Sequence, residues 1–209
     1  MNPFLMFGCF ALMVVLYLIY ESIKWGLEEH RWQEWFFKSS ATAVSAALAG
    51  YGYLAQPTPL RLLIVIGLCV CVLADVILDK FFLAGTLLFG AAHICYCASM
   101  LLSARPGVVN LIVFLALAGG TALLYPQLKK LSGDKNALPY AVYALLISAL
   151  LALAVTQKPW IMAGALLFVV SDCMLLFRIV KNIPSRLYDY VCLGCYYLAQ
   201  FLIAVSTLF

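Results

Sequence analysis

The chain has 209 residues, of which 66% are hydrophobic and 11% charged, whereas a soluble domain carries about 45–50% apolar and about 25% charged residues. So much apolar surface cannot be covered by so few polar groups, which excludes a water-soluble globule and makes a bilayer the solvent. The formal charge of +4 does not indicate a nucleic-acid partner, because the basic residues fall between apolar runs and not on one folded surface.

In chain order, the apolar runs predict helices at 4–20, 36–54, 60–78, 82–103, 107–125, 137–155, 159–177 and 188–208. Each is continuously apolar over about 20 residues, the length a helix needs to cross a membrane, which is twice what a barrel strand needs. The expected fold is therefore an all-α integral membrane bundle of about eight transmembrane helices, forming one transmembrane domain over residues 1–209. The first run starts at Pro3–Phe4 with no basic residues before it, so a retained helix is expected and not a cleaved signal. The breaks carry turn chemistry: Gln56-Pro57-Thr58-Pro59, Arg105-Pro106-Gly107, Pro126 to Asn136, Lys158-Pro159, and Lys181-Asn182-Ile183-Pro184. All eight cysteines lie within apolar runs. Cys192 and Cys195 have CxxC spacing without a second metal-binding pair, so the cysteines read as packing residues.

Eight spans put both termini on one side of the membrane. That side holds Arg61, Arg105 and Lys158, while the other ten of the thirteen basic residues share the opposite side. The positive-inside rule makes the ten-residue side cytoplasmic and both termini non-cytoplasmic, in a bacterial inner membrane or a eukaryotic endoplasmic reticulum. In the second span, Ala41, Ser45 and Ala49 form a row of small residues at spacing four, the pattern of a close helix–helix seam.

A word recurs three spans apart. Ala84-Gly85-Thr86-Leu87-Leu88-Phe89 leads to His93, and Ala163-Gly164-Ala165-Leu166-Leu167-Phe168 leads to Asp172, each copy placing an ionisable residue at the same offset. Spans three apart cross in opposite directions, so this is a possible inverted repeat relating spans 4 and 7, an arrangement that places sites near the midplane.

Asp75, His93 and Asp172 lie well inside their spans. An Asp at a helix centre opposes insertion by about 2.5–3.5 kcal/mol, so two unpaired would oppose it by about 5–7 kcal/mol; residues this costly point to function. At about 1.5 Å per residue, Asp75 is roughly 22 Å and Asp172 roughly 20 Å from the outer side, and His93 roughly 16 Å from the inner side. Tyr196, Tyr197 and Gln200 lie roughly 12–18 Å from the inner side. One depth for four spans predicts one site. His93 and Tyr96 share a helix face, as do Tyr196 and Gln200. Tyr143 can add a hydroxyl, and Lys38 can snorkel or meet a lipid phosphate. Asp79, beside Lys80 at a helix end, reads as one member of an interfacial charge pair.

These residues resemble the YhhN-like lysoplasmalogenase family. The resemblance is carried by Ala74-Asp75-Val76-Ile77-Leu78, by Phe82-Leu83-Ala84-Gly85 with Phe89 and Ala92-His93-Ile94-Cys95-Tyr96, by Gly164 to Asp172, and by Tyr196-Tyr197-Leu198-Ala199-Gln200, with Tyr143 matching a family tyrosine. It covers roughly residues 36–205. Ala74 stands where a Gly is usual, and Ser39 stands where a Pro is usual after Lys38. The resemblance implies an eight-span enzyme, and no metal or cofactor is expected. Its substrate would be a lysophospholipid within the bilayer, a lysoplasmalogen, whose vinyl ether is hydrolysed to a fatty aldehyde and glycerophospho-ethanolamine or -choline.

That chemistry needs a carboxylic acid that keeps its proton near neutral pH, and a low dielectric disfavours the ionised form of a carboxyl group. It also needs a carboxylate to stabilise an oxocarbenium ion and activate water, as in glycosidases. Asp75 and Asp172 are the expected acid–base pair, with Asp75 favoured as acid. His93 would orient or relay a proton; Tyr96, Tyr143, Tyr196, Tyr197, Gln200, Lys38 and Asp79 would bind substrate. Two rivals compete: a metal-dependent intramembrane lipid hydrolase, for which the two histidines (His30 in the acidic first loop, and His93) are few, and a proton-coupled small transporter.

Overall fold

A computed structural model describes residues 3–26, 31–181 and 185–209; His30 and the expected break at Asn182, Ile183 and Pro184 lie outside the described residues. Within these, the chain forms α1 (Pro3–Lys24), α2 (Arg31–Ala55), α3 (Pro59–Leu78), α4 (Phe82–Ser103), α5 (Val108–Ser132), α6 (Asp134–Ala154), α7 (Pro159–Lys181) and α8 (Arg186–Val205), closed by a 3₁₀ turn, Ser206–Leu208. No strand occurs among the described residues.

The helix starts follow local chemistry. Thr58 caps α3 by accepting from the Arg61 N–H at 3.3 Å, with Pro59 in the first helical position. Ser185 caps α8 in the same way, accepting from the Tyr188 N–H at 3.3 Å. Several helices outrun the apolar stretches that predict them: α1 continues to Lys24 and α7 to Lys181. Backbone hydrogen bonding does not stop where the hydrocarbon does, and the basic residues of a last turn complement the helix dipole. The largest difference is between α5 and α6. The stretch from Pro126 to Asn136 is not a loop: Pro126 sits inside α5, and Gly133 alone, at φ +79°, makes the break. That backbone conformation carries no steric penalty in glycine, so one residue suffices to end one helix and begin the next.

Seven helices are long and apolar enough to cross a membrane. The exception is α2, whose apolar character is diluted by Lys38, Thr42 and Ser45, all of them buried. It packs against α1, α3 and α8, so its polar residues face protein and not lipid. The small-residue row is buried as its spacing predicts, with Ser45 Oγ 3.7 Å from Met13 Sδ on α1. Polarity is inverted relative to a soluble bundle. On α4, Leu87 and Ile94 face outward while His93 is fully buried; Leu111, Ile112, Leu115 and Leu123 face outward on α5. A surface of leucines outside an interior that holds charged and polar side chains among its apolar core is stable only in lipid. The chain is a multi-pass membrane protein.

The hairpin α3–α4 is tightened at Gly85, where an added methyl carbon would lie 2.5 Å from Leu78 Cα and 2.8 Å from its Cβ. Backbone on the far side cannot yield as a side-chain tip does. Gly85→Ala is therefore expected to destabilise the protein by about 1–3 kcal/mol through overpacking, against a helix-propensity gain of about 1 kcal/mol. Thermal melting in detergent checks this, and a variant as stable as the parent would show that the two helices are not held at this distance.

Candidate active site

Asp75 projects from α3 into the interior and is 1% exposed. Its Oδ2 accepts from the Thr42 hydroxyl at 2.5 Å and from the Tyr196 hydroxyl at 2.9 Å. One turn on along α3, Asp79 Oδ1 accepts from Lys38 Nζ at 2.7 Å. Lys38 and Thr42 are likewise one turn apart on α2, so two polar rungs join these helices, one charged and one hydroxyl–carboxyl. Lys38 is 4% exposed: it is held by Asp79 and does not snorkel. Lys80, the sequence neighbour expected to pair with Asp79, lies 5.5 Å from the Phe81 ring centre. Both residues lie past Leu78, the last residue of α3, and the turn there presents Asp79 to α2 while Lys80 lies over Phe81.

On the opposite wall, Asp172 of α7 accepts at Oδ2 from the Tyr143 hydroxyl of α6 at 3.0 Å. Between the walls lies a cavity of 180 Å³ lined by Asp75, Asp172, Tyr143, Tyr196 and Phe89 among others. Toward the helix ends, its lining includes Lys24, Lys38, Asp79, Arg178 and Asp189. The ends of α1, α3 and α7 and the starts of α2, α4 and α8 all contribute to it, so this charged end lies at one face of the bundle.

The remaining predicted residues pack beneath the cavity and do not line it. His93 is fully buried, with its ring 5.0 Å from Phe168, 5.8 Å from Tyr143 and 6.1 Å from Tyr96. Neither imidazole nitrogen has a hydrogen-bond partner among the described residues. Tyr96 donates to Gln200 Oε1 at 3.2 Å, and Tyr197 donates to the Lys38 carbonyl at 3.2 Å. The two copies of the repeated word meet here. Phe89 and Phe168, equivalent in the repeat, both make T-shaped contacts with Tyr196, with ring centres 5.6 and 5.8 Å apart. Their ionisable counterparts, His93 and Asp172, both meet Tyr143, one by ring contact and the other by hydrogen bond.

Sequence reading missed Thr42, which sits in the small-residue row between Ala41 and Ser45 and looks like packing. It also missed the cluster of Lys24, Arg178 and Asp189. Asp189 is 1% exposed and accepts from Lys24 at 2.8 Å while pairing with Arg178. The available signal was an acidic residue just inside a span, on the side where Lys24 and Arg178 end theirs. Glu21, also fully buried, lies one turn before Lys24 on α1.

Two carboxyl groups, each bound to a tyrosine hydroxyl and facing a largely apolar space, are equipped to deliver one proton and accept another. Among the described residues, no group of three or more His, Cys, Asp or Glu side chains is placed to hold a metal ion. The eight cysteines are free thiols. Compared with known proteins, the chain matches the family model of the YhhN family over residues 33–207, which takes in both carboxylates and their hydroxyl partners. No curated protein and no solved structure matches it.

Proposed function

Because the chain belongs to the YhhN family, we propose that it is a membrane hydrolase cleaving the vinyl ether bond of lysoplasmalogens. The observation that carries this reading is the pair of tyrosine-held carboxyl groups, Asp75 and Asp172, lining one largely apolar cavity with a charged end. A lysolipid has the same layout: an apolar tail, a reactive ether and a charged headgroup.

Asp75 in its acid form protonates the alkene carbon distal to the ether oxygen, creating an oxocarbenium ion. Thr42 and Tyr196 both bind Oδ2, which leaves Oδ1 to carry that proton. Asp172 takes a proton from water as the water adds to the carbon bonded to oxygen. The resulting hemiacetal collapses, its hydroxyl proton passing to the glycerol oxygen as the C–O bond breaks. One water is consumed, and a fatty aldehyde and a glycerophospho-alcohol are released. Electrostatic stabilisation of the cation by a carboxylate follows the logic of glycosidases. His93 is a positioning residue that acts through Tyr143. Tyr196 lines the cavity, while Tyr96, Tyr197 and Gln200 brace it from beneath. The excess of basic residues on the charged side supports a cavity opening toward the cytoplasmic leaflet, with both termini on the other side.

The test is aldehyde release by detergent-purified protein from a 1-alkenyl lysophospholipid beside its saturated 1-alkyl analogue. Aldehyde is expected from the vinyl ether alone. No aldehyde from folded, monodisperse protein would move the activity to another lipid bond or to transport.

A further inference from the structure

We infer that Lys24 and Arg178, bridged by Asp189, form the site for the phosphodiester of the lysolipid headgroup. All three residues line the cavity, and they come from three helices, α1, α7 and α8. Asp189 is buried, whereas the side chains of Lys24 and Arg178 keep 21% and 33% of their surface open. At the cavity wall the two cations face one lining carboxylate, Asp189, and both keep open surface that a further anion such as a phosphodiester can meet. Glu21, their fully buried neighbour on α1, does not line the cavity. Lys38 is satisfied one-to-one by Asp79 and is almost wholly buried, so the expectation that it meets the phosphate passes to the other pair of cations. Arginine suits this task because its planar donors match phosphate oxygens, and the carboxylate behind it fixes the fork in place.

Spacing supports the assignment. Arg178 lies six residues beyond Asp172 on the same helix, a rise of about 9 Å. In the substrate, seven bonds separate phosphorus from the distal alkene carbon, and at the ~3.8 Å that three bonds of an extended chain span, they cover about 9 Å. A phosphate at Arg178 therefore brings the vinyl carbons level with Asp172. Lys24 lies outside the stretch matched to the family, residues 33–207, so this site draws on a helix that the family match leaves out. The choice of a lysolipid and the spacing to Asp172 rest on the hydrolase reading, whereas the anion site itself rests on the side chains at the cavity wall.

The experiment measures equilibrium binding of two saturated ligands to the detergent-purified full chain: 1-alkyl-glycerophosphocholine, and 1-alkylglycerol, which lacks the phosphate. The parent protein is expected to prefer the phospholipid by about ten- to hundredfold, the range of a charge-assisted hydrogen bond. Lys24→Gln and Arg178→Gln should each remove most of that preference and leave alkylglycerol binding unchanged, while Arg178→Lys keeps part of it. Because Arg178→Gln leaves buried Asp189 with one partner fewer, the double variant Arg178→Gln, Asp189→Asn removes the pair together and should show the same loss of preference. Equal affinity for the two ligands in the parent, or an unchanged preference in both glutamine variants, would overturn the site. Loss of both ligands in the single and double variants alike would make the cluster purely structural and overturn it as well. Inorganic phosphate that displaces the phospholipid at comparable concentration would reassign the site to a free anion. Neither ligand can release aldehyde, so the result stands apart from the reaction: binding without aldehyde from the vinyl ether refutes the hydrolase and keeps the headgroup site.

Discussion

Asp172→Asn and Asp75→Asn are each expected to lower turnover of a lysoplasmalogen by about 10²–10⁴-fold, the usual contribution of a general acid or base, with the fold retained. Asparagine has nearly the shape of aspartate, and its amide oxygen can still accept the hydroxyl bonds that hold each side chain: Tyr143 for Asp172, Thr42 and Tyr196 for Asp75. What it cannot do is give up or take a proton during the reaction. Each substitution also removes an ionisable group from the interior of a bilayer, which is not expected to lower stability. Single-turnover aldehyde release, read beside melting temperature in detergent, separates the two effects. A variant that melts like the parent and keeps a large part of its activity would remove that residue from the chemistry.

The largest effect on stability is expected at Phe168. Its side chain is 0% exposed and touches the rings of His93, Tyr96 and Tyr196, with centroids 5.0, 6.2 and 5.8 Å away. In a membrane the hydrophobic effect contributes little to helix association, so close packing carries much of the stability. Phe168→Ala opens a cavity at the junction of α4, α7 and α8 and should cost about 3–5 kcal/mol. It also frees Tyr196, a donor to Asp75, so activity should fall even at temperatures where the variant stays folded. Phe168→Leu, which refills most of the space, should recover much of both. Thermal or denaturant unfolding in detergent measures the loss, and a cost below about 1 kcal/mol would mean that the site collapses without strain.

The eight helices were legible in the sequence because crossing a bilayer requires about 20 apolar residues in a row, a constraint that acts on each segment separately. The positions of Asp75, His93 and Asp172 along their helices were legible for the same reason, since rise per residue is fixed. Helical periodicity put His93 with Tyr96, and Tyr196 with Gln200, on shared faces. Which way each helix turns, and which neighbour it meets, was decided only in three dimensions. The pairing of Lys38 with Asp79 and not Lys80 with Asp79, the hydroxyl of Thr42 on Asp75, and the placement of His93 beneath Tyr143 all depend on rotation about a helix axis. So does the gathering of Lys24, Arg178 and Asp189 from three helices. Hydropathy constrains how deep a residue sits, but rotation is set by the packing of small and aromatic side chains from distant spans, such as Gly85 on Leu78 and Phe168 on Tyr196, and that information is spread over several segments at once.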